Sequence, residues 1–248
     1  MTEQKPVTLL AVESSAGPAS CAVLRRENGT EQIVCTGSVN NRLTHSQTLM
    51  PMIHDMLKNA AMSLSDITHL AVAVGPGSFT GVRIGVAAVK GLAFPNDLPC
   101  VAVSTLAGMA RRFEGVPYTG LILTTMDARC GQIYTALFSV QNGNVERLTP
   151  DEALPLEEVE SRLKGENRPI MVVGDGAAIT YASLHNTIPG LVIAPEPLRY
   201  QHASGVAVEA LSAIDRGECV SGEVLLPAYL RLPQAERELR AKQEQTSK

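Results

Sequence analysis

Several markers of chemistry are missing from this chain, and each absence removes a class of function. The five histidines, His45, His54, His69, His185 and His202, form no H-x-x-x-H or H-E-x-x-H pair, so no helix offers a metal two ligands one turn apart. A dedicated metal centre is therefore not expected, nor a zinc-holding metallopeptidase. No G-x-S-x-G elbow occurs, and the scattered cysteines and histidines define no nucleophilic dyad. The five cysteines, Cys21, Cys35, Cys100, Cys130 and Cys219, are odd in number and include no C-x-x-C pair, which leaves neither a disulfide framework nor a zinc knuckle. They read as reduced, mostly buried thiols. No apolar run approaches the roughly 20 residues that span a bilayer, and the run Val7 to Val12 is too short, and lacks the basic flank, for a secretory leader. A soluble cytoplasmic protein without a membrane partner is expected. The net charge of −4 is the wrong sign for a chain that binds nucleic acid tightly by itself.

What is present is a large apolar fraction and one glycine-rich block. At 248 residues and 45% hydrophobic content, the chain can bury a substantial core, as one large domain or as two lobes of about 100 residues each. The block is Gly75-Pro76-Gly77-Ser78-Phe79-Thr80-Gly81-Val82-Arg83-Ile84-Gly85. The continuous apolar run Leu70 to Val74 before it predicts a buried strand, and the residues after Thr80 predict a helix. A strand, a glycine turn and a helix start follow in order, and the free N–H groups of that helix start can hold an anion or pack against another backbone. The block is not a Walker loop, since no Lys-Ser or Lys-Thr follows. Nor is it a Rossmann fingerprint, since Pro76 interrupts an irregular spacing away from the first strand. Gly81, Gly85, Ala88 and Leu92 recur at helical spacing and predict a smooth stripe against which another element can pack closely.

Val7 to Val12 and Ala19 to Arg25 read as strands joined by a Gly17-Pro18 turn. An offset of 114 residues brings this outline back. Leu121 to Met126 ends at Asp127 as the first run ends at Glu13, Gly131 matches Gly17, Ala136 matches Ala22, and Asn142-Gly143 matches Asn28-Gly29. A second echo is Ile170 to Val173 followed by Gly174-Asp175-Gly176, again a buried strand entering a Gly-x-Gly turn and a helical stretch. Internal duplication is the favoured reading, over chance similarity of two α/β units. Ser46 to Met62 carries Leu49, Met52, Ile53, Met56, Leu57 and Ala60 on one helical face, widened by Met50, Ala61 and Met62. Ala203 to Arg216 is a second amphipathic helix, capped by Gly217, and the polar tail resembles a frayed helix or disorder.

Each candidate site admits a functional and a structural reading. Glu13-Ser14-Ser15 could approach a metal-bound phosphate, or its hydroxyls could close a local turn. Asp127 and Arg129 hold the equivalent place in the second half, where an acid and a base two residues apart more often fix a loop than catalyse. Arg83 could bind a phosphate or a partner's carboxylate, or be solvated or paired internally.

The chain resembles the TsaB (YeaZ) family of bacterial tRNA threonylcarbamoyladenosine biosynthesis proteins through Leu10 to Ser15, His45-Ser46 leading to Leu49 to Ile53, Val74 to Gly85, Gly91 to Phe94, Val103 to Leu106, Asp127 to Arg129 and Pro227 to Arg231. The resemblance implies the actin/Hsp70/sugar-kinase (ASKHA) α/β fold, with two RNase H-like lobes. The first would span 1–108, with helix 203–216 packed back on it, the second 109–202, followed by a polar tail at 232–248. It implies a non-catalytic subunit that dimerises with the transferase TsaD and acts with the ATPase TsaE, meeting tRNA only within that complex. A homodimer is an alternative pairing. The implied partner surface lies on two first-lobe helices, at Leu49, Met50, Met52, Ile53, Met56, Leu57, Gly81, Arg83, Gly85, Ala88 and Leu92. Gly85→Leu or Met56→Glu is then expected to break pairing and leave the fold intact. Nucleotide or anion contacts would fall to Glu13, Ser14, Ser15, Gly75, Gly77, Ser78, Thr80, Asp127, Arg129, Gly174 and Gly176, with no cofactor needed by the chain alone and ATP with magnesium at the complex interface. Glu13 departs from the family's usual Asp-Thr-Ser, and Leu148 to Pro197 matches loosely. The competing reading is an independent ATP-dependent phosphotransferase using Glu13, Asp127 and the two Gly-x-Gly loops.

Overall fold

The computed structural model describes residues 6–41 and 43–231, so the tail expected at 232–248 lies outside the described residues. The first sheet contains β1 (Val7–Glu13), β2 (Ala19–Glu27), β3 (Thr30–Val39), β4 (His69–Gly75) and β5 (Cys100–Ser104), in the order β3-β2-β1-β4-β5. β1 pairs antiparallel with β2 and parallel with β4. Leu9 to Val12 and Leu70 to Val74 are buried without alternation because helices cover both faces of the sheet.

The second sheet contains β6 (Gly120–Arg129), β7 (Gln132–Gln141), β8 (Asn144–Arg147), β10 (Ile170–Val173) and β11 (Leu191–Ile193), with β9 (Glu152–Pro155) added against β7. Taken from its opposite edge, its order β8-β7-β6-β10-β11 repeats that of the first sheet strand for strand. The duplication extends to the turns. Asn28 and Gly29 have φ of 52° and 76°, and Asn142 and Gly143 have 53° and 79°, so both halves use the same two-residue left-handed hairpin turn.

Two helices cover the outer face of the first sheet, α1 (His45–Asn59) and α2 (Phe79–Ala93). The helix expected to reach Met62 ends at Asn59, because Ala61 turns left-handed (φ 52°) and the amide of Met62 closes back on the Leu57 carbonyl at 2.9 Å. On the second sheet the outer helices are α4 (Leu156–Leu163) and α5 (Ala177–Leu184).

The remaining helices cross between the halves. α3 (Thr105–Arg111) follows β5 yet buries Leu106, Met109 and Ala110 against Ile122, Ala136 and Phe138 of the second sheet. The boundary expected after residue 108 therefore falls inside a helix. After the short α6 (Glu196–Arg199), α7 (Ala203–Asp215) returns to the first sheet and covers Leu9, Ala11, Ala73 and Val103. Its start is held by the Ala203 amide donating to Ser20 Oγ at 2.9 Å, and its end by the buried Arg26, whose two terminal nitrogens each reach Asp215 at 2.7 Å. Gly217 (φ 75°) ends it as expected.

α3 and α7 touch backbone to backbone. A Cβ placed on Gly205 would stand 1.9 Å from the Gly108 carbonyl oxygen, so a methyl group there forces the helices apart. Gly205→Ala should destabilise the protein by about 3 kcal/mol or more. Gly91→Ala, on the exposed side of α2 with nothing near the added methyl, should stabilise it by roughly 0.5–1 kcal/mol. Urea denaturation of both variants measures the contrast.

Candidate functional site

The parallel strands β1 and β4 of one sheet and β6 and β10 of the other bring their carboxyl ends to a common cleft of about 630 Å³. In open α/β folds this is the usual place for a ligand. Ser15, Gly77, Ser78, Thr80, Asp127 and Arg129 line it, together with Asp175, Tyr134 and the segment Ala228 to Arg231. A wider groove of about 820 Å³, between α1 and β3, lies among Val34, Pro51 and Met52, away from these strand ends.

The acids at the strand ends are held alike in both halves. Glu13 Oε1 accepts the Ser15 amide at 2.6 Å, and Asp127 Oδ1 accepts the Arg129 amide at 2.7 Å, the same i to i+2 turn at positions 114 residues apart. Their surroundings differ. Asp127 is exposed, while Glu13 is 1% exposed, and burial pushes its carboxyl up to about 7 against the lowering pull of the nearby Ser15 hydroxyl and amide and with a further push from Asp175. Asp175 keeps an exposed edge, but the protein around its carboxyl raises its pKa, opposed by Gln201 and assisted by Asp127. Ser14 sends its hydroxyl to the Gly81 carbonyl at 2.9 Å instead of closing a local turn. Ser15 Oγ is buried without a hydrogen-bond partner, although it lies near enough to Glu13 to lower that carboxyl's pKa.

The glycine block is built for contact between backbones. A Cβ on Gly77 would meet the Ser15 carbonyl oxygen at 2.5 Å, one on Gly81 the Ser14 carbonyl oxygen at 2.1 Å, and one on Gly85 Ser14 Oγ at 2.4 Å. The Ser78 amide is engaged by the Ser15 carbonyl at 2.6 Å, and the Gly81 amide by the Ser78 side chain at 3.3 Å. The second loop does the same. The amides of Gly174 and Gly176 donate to Arg199 and Thr125 carbonyls, and a Cβ on Gly174 would stand 1.9 Å from the Thr125 oxygen. These loops clamp the ends of β1 and β6, and the engaged amides do not fit a phosphate cradle.

Six residues expected on a partner surface are buried in the chain's own core: Leu49, Ile53, Met56, Leu57, Gly81 and Gly85. The stripe at Gly81 and Gly85 admits Ser14, not another protein, so Gly85→Leu and Met56→Glu would damage the fold itself. Met50, Arg83, Ala88 and Leu92 keep partly or fully exposed positions on the outer side of α1 and α2, while the half-buried Met52 turns toward Gly37 of β3. Arg83 is paired internally, its Nε donating to Tyr229 Oη at 2.8 Å and its guanidinium lying 3.8 Å from the centre of the Phe79 ring.

The family model described as TsaD, tRNA N6-adenosine threonylcarbamoyltransferase, matches residues 40–239. The tRNA threonylcarbamoyladenosine biosynthesis protein TsaB of Bacillus subtilis is 34% identical over 93% of this chain and 96% of its own length. The chain belongs to the TsaB family. The Escherichia coli TsaB is also 34% identical, over 75% of this chain and 80% of that protein. The solved structure of YeaZ from Pseudomonas aeruginosa, 30% identical, superposes with a TM-score of 0.74 over 90% of this chain and all of that one. This TsaB-family chain thus has the α/β fold of YeaZ, with two mixed sheets of matching strand order as the expected duplication requires.

Asp175 and Tyr229 carry no assignment from sequence, although Asp175 stands between two singled-out glycines and Tyr229 lies in a matched block. The raised Glu13 carboxyl has a measurable consequence. Because its folded pKa of about 7 exceeds the ordinary carboxyl value of 4.5, its protonated form favours the fold, and that contribution is complete below 4.5 and lost as pH rises through 7. Glu13→Gln should therefore melt higher than the parent at pH 8, by an amount equivalent to about 3 kcal/mol at most, and match it at pH 4. Melting curves across this range provide the check.

Proposed function

We propose that this chain is an accessory, non-catalytic subunit in the synthesis of tRNA N6-threonylcarbamoyladenosine. It pairs through α1 and α2 with the related transferase TsaD, acts with the ATPase TsaE in the cytoplasm, and meets tRNA only as part of that assembly. Family membership supports the pathway. The observation that carries the pairing is the outer side of α1 and α2, adjacent helices on one sheet face that present Met50 at 44% exposure and the partly exposed Ala88 and Leu92. Flexible methionines and small side chains suit a surface that takes a partner helix at close range, or a second copy of the chain when that partner is absent.

A phosphotransferase reading draws on the three acids at the cleft, Glu13, Asp127 and Asp175. It is disfavoured because the amides of Ser78, Gly81, Gly174 and Gly176 are engaged by protein carbonyls or a side chain, which removes four of the donors that a phosphate-holding loop would offer. On the favoured reading ATP and magnesium belong at the interface of the complex, and this chain requires no cofactor of its own.

The test is reconstitution. The purified chain should hydrolyse no ATP and transfer no group alone, yet restore modification when added to TsaD, TsaE, threonylcarbamoyl-adenylate and substrate tRNA. Failure to restore overturns the reading. Met50→Glu combined with Ala88→Glu should weaken capture of TsaD by at least about tenfold with an unchanged melting temperature, since it places charge on an apolar contact.

A further inference from the structure

The segment from Leu225 to Arg231 crosses the mouth of the interlobe cleft without forming a helix or a strand. One end is anchored by the buried Leu225, whose carbonyl accepts Lys90 Nζ of α2 at 3.2 Å. The Ala228 amide then donates to the Val74 carbonyl at 2.8 Å. This crossing needs glycine at 75, where φ is 123° and a Cβ would stand 2.4 Å from the Ala228 oxygen. Tyr229 stacks on Phe79 with ring centres 4.7 Å apart and accepts the hydrogen bond from Arg83. Arg231 finally reaches the other lobe, donating to the Ala128 carbonyl at the end of β6.

Between these anchors the segment is open to solvent. Tyr229 is 42% exposed and Leu230 40%. Its hold on the far lobe is a single guanidinium on backbone carbonyls, and beyond the Leu225 anchor its hold on α2 is one aromatic stack with the hydrogen bond from Arg83. Segments with few buried contacts and exposed hydrogen bonds open at far lower free energy than the sheets beneath them.

We infer that Leu225 to Arg231 is a releasable clasp that ties the start of α2 to the end of β6 and controls access to the interlobe cleft. With the clasp closed, Ala228 to Arg231 form one wall of the cleft mouth. With Tyr229 and Arg231 released, the first and second lobes lose their tie on the cleft side, and Phe79 and Arg83 lose their covering ring. The inference does not depend on TsaD binding, because every contact in the clasp is made within one chain.

Hydrogen exchange on the full chain tests it, comparing the parent with Tyr229→Ala combined with Arg231→Ala. The Ala228 amide should lose its protection. The Ser78 amide, bonded to Ser15, and the Arg129 amide, bonded to Asp127, should exchange at least about tenfold faster, while amides of β2 and β7 keep parental rates. If Ala228 stays protected, Tyr229 and Arg231 do not hold the segment and the inference fails. It fails equally if Ala228 is released while Ser78 and Arg129 exchange as before. Should the β2 and β7 amides accelerate as well, Arg231→Ala alone, which keeps the Tyr229 stack and the buried Leu225, is judged by the same two readouts.

Discussion

The contact between Gly108 and Gly205 sets the spacing of everything else. Because the backbones of α3 and α7 meet there without side chains between them, the helices can lie together between two sheets that each already carry an outer helical layer. The carboxyl ends of β1, β4, β6 and β10 converge on one cleft at that spacing. A pair of ordinary side chains at the crossing would separate the sheets by several ångströms and take Asp175 out of electrostatic reach of Glu13.

The same economy of space recurs at the strand ends. Glycine at 77, 81 and 85 admits Ser14 and Ser15 against α2, and glycine at 174 and 176 admits Thr125 and Met126 beside α5. The two Gly-x-Gly loops thus act as a pair of backbone clamps. They fix two carboxylates in matching turns, and burial gives one of those carboxylates a near-neutral pKa while the other stays at the solvent boundary. Once Leu49, Ile53, Met56 and the glycines have gone inward, the outward positions of α1 and α2 keep Met50 and the partly exposed Ala88 and Leu92 among polar residues such as His54, Lys58 and Arg83.

Much of the architecture was legible. The buried strands, both amphipathic helices, the Gly217 cap and the repeat at 114 residues all rest on local patterns of apolar residues and turn chemistry. β3 was not legible, because an edge strand with Glu31, Gln32, Thr36 and Ser38 exposed lacks the alternation that marks a half-buried strand. Helical periodicity identified the faces of α1 and α2 but could not say which side met the sheet. That side was decided by Ser14, distant in sequence, and so Gly81 and Gly85 were placed outward. The clasp was invisible for the same reason, since the partners of Tyr229 and Arg231 lie about 100 to 150 residues away.

The exchange of α3 and α7 between the halves also orders the life of the chain on the ribosome. Leu9, Ala11, Ala73 and Val103 stay uncovered until α7 emerges, roughly 100 residues after β5, an interval of about 5–20 s at ordinary rates of synthesis. The duplicated halves consequently cannot mature one after the other. The first lobe waits, with an apolar face open to chaperones or to aggregation, for a helix encoded at the far end of the second.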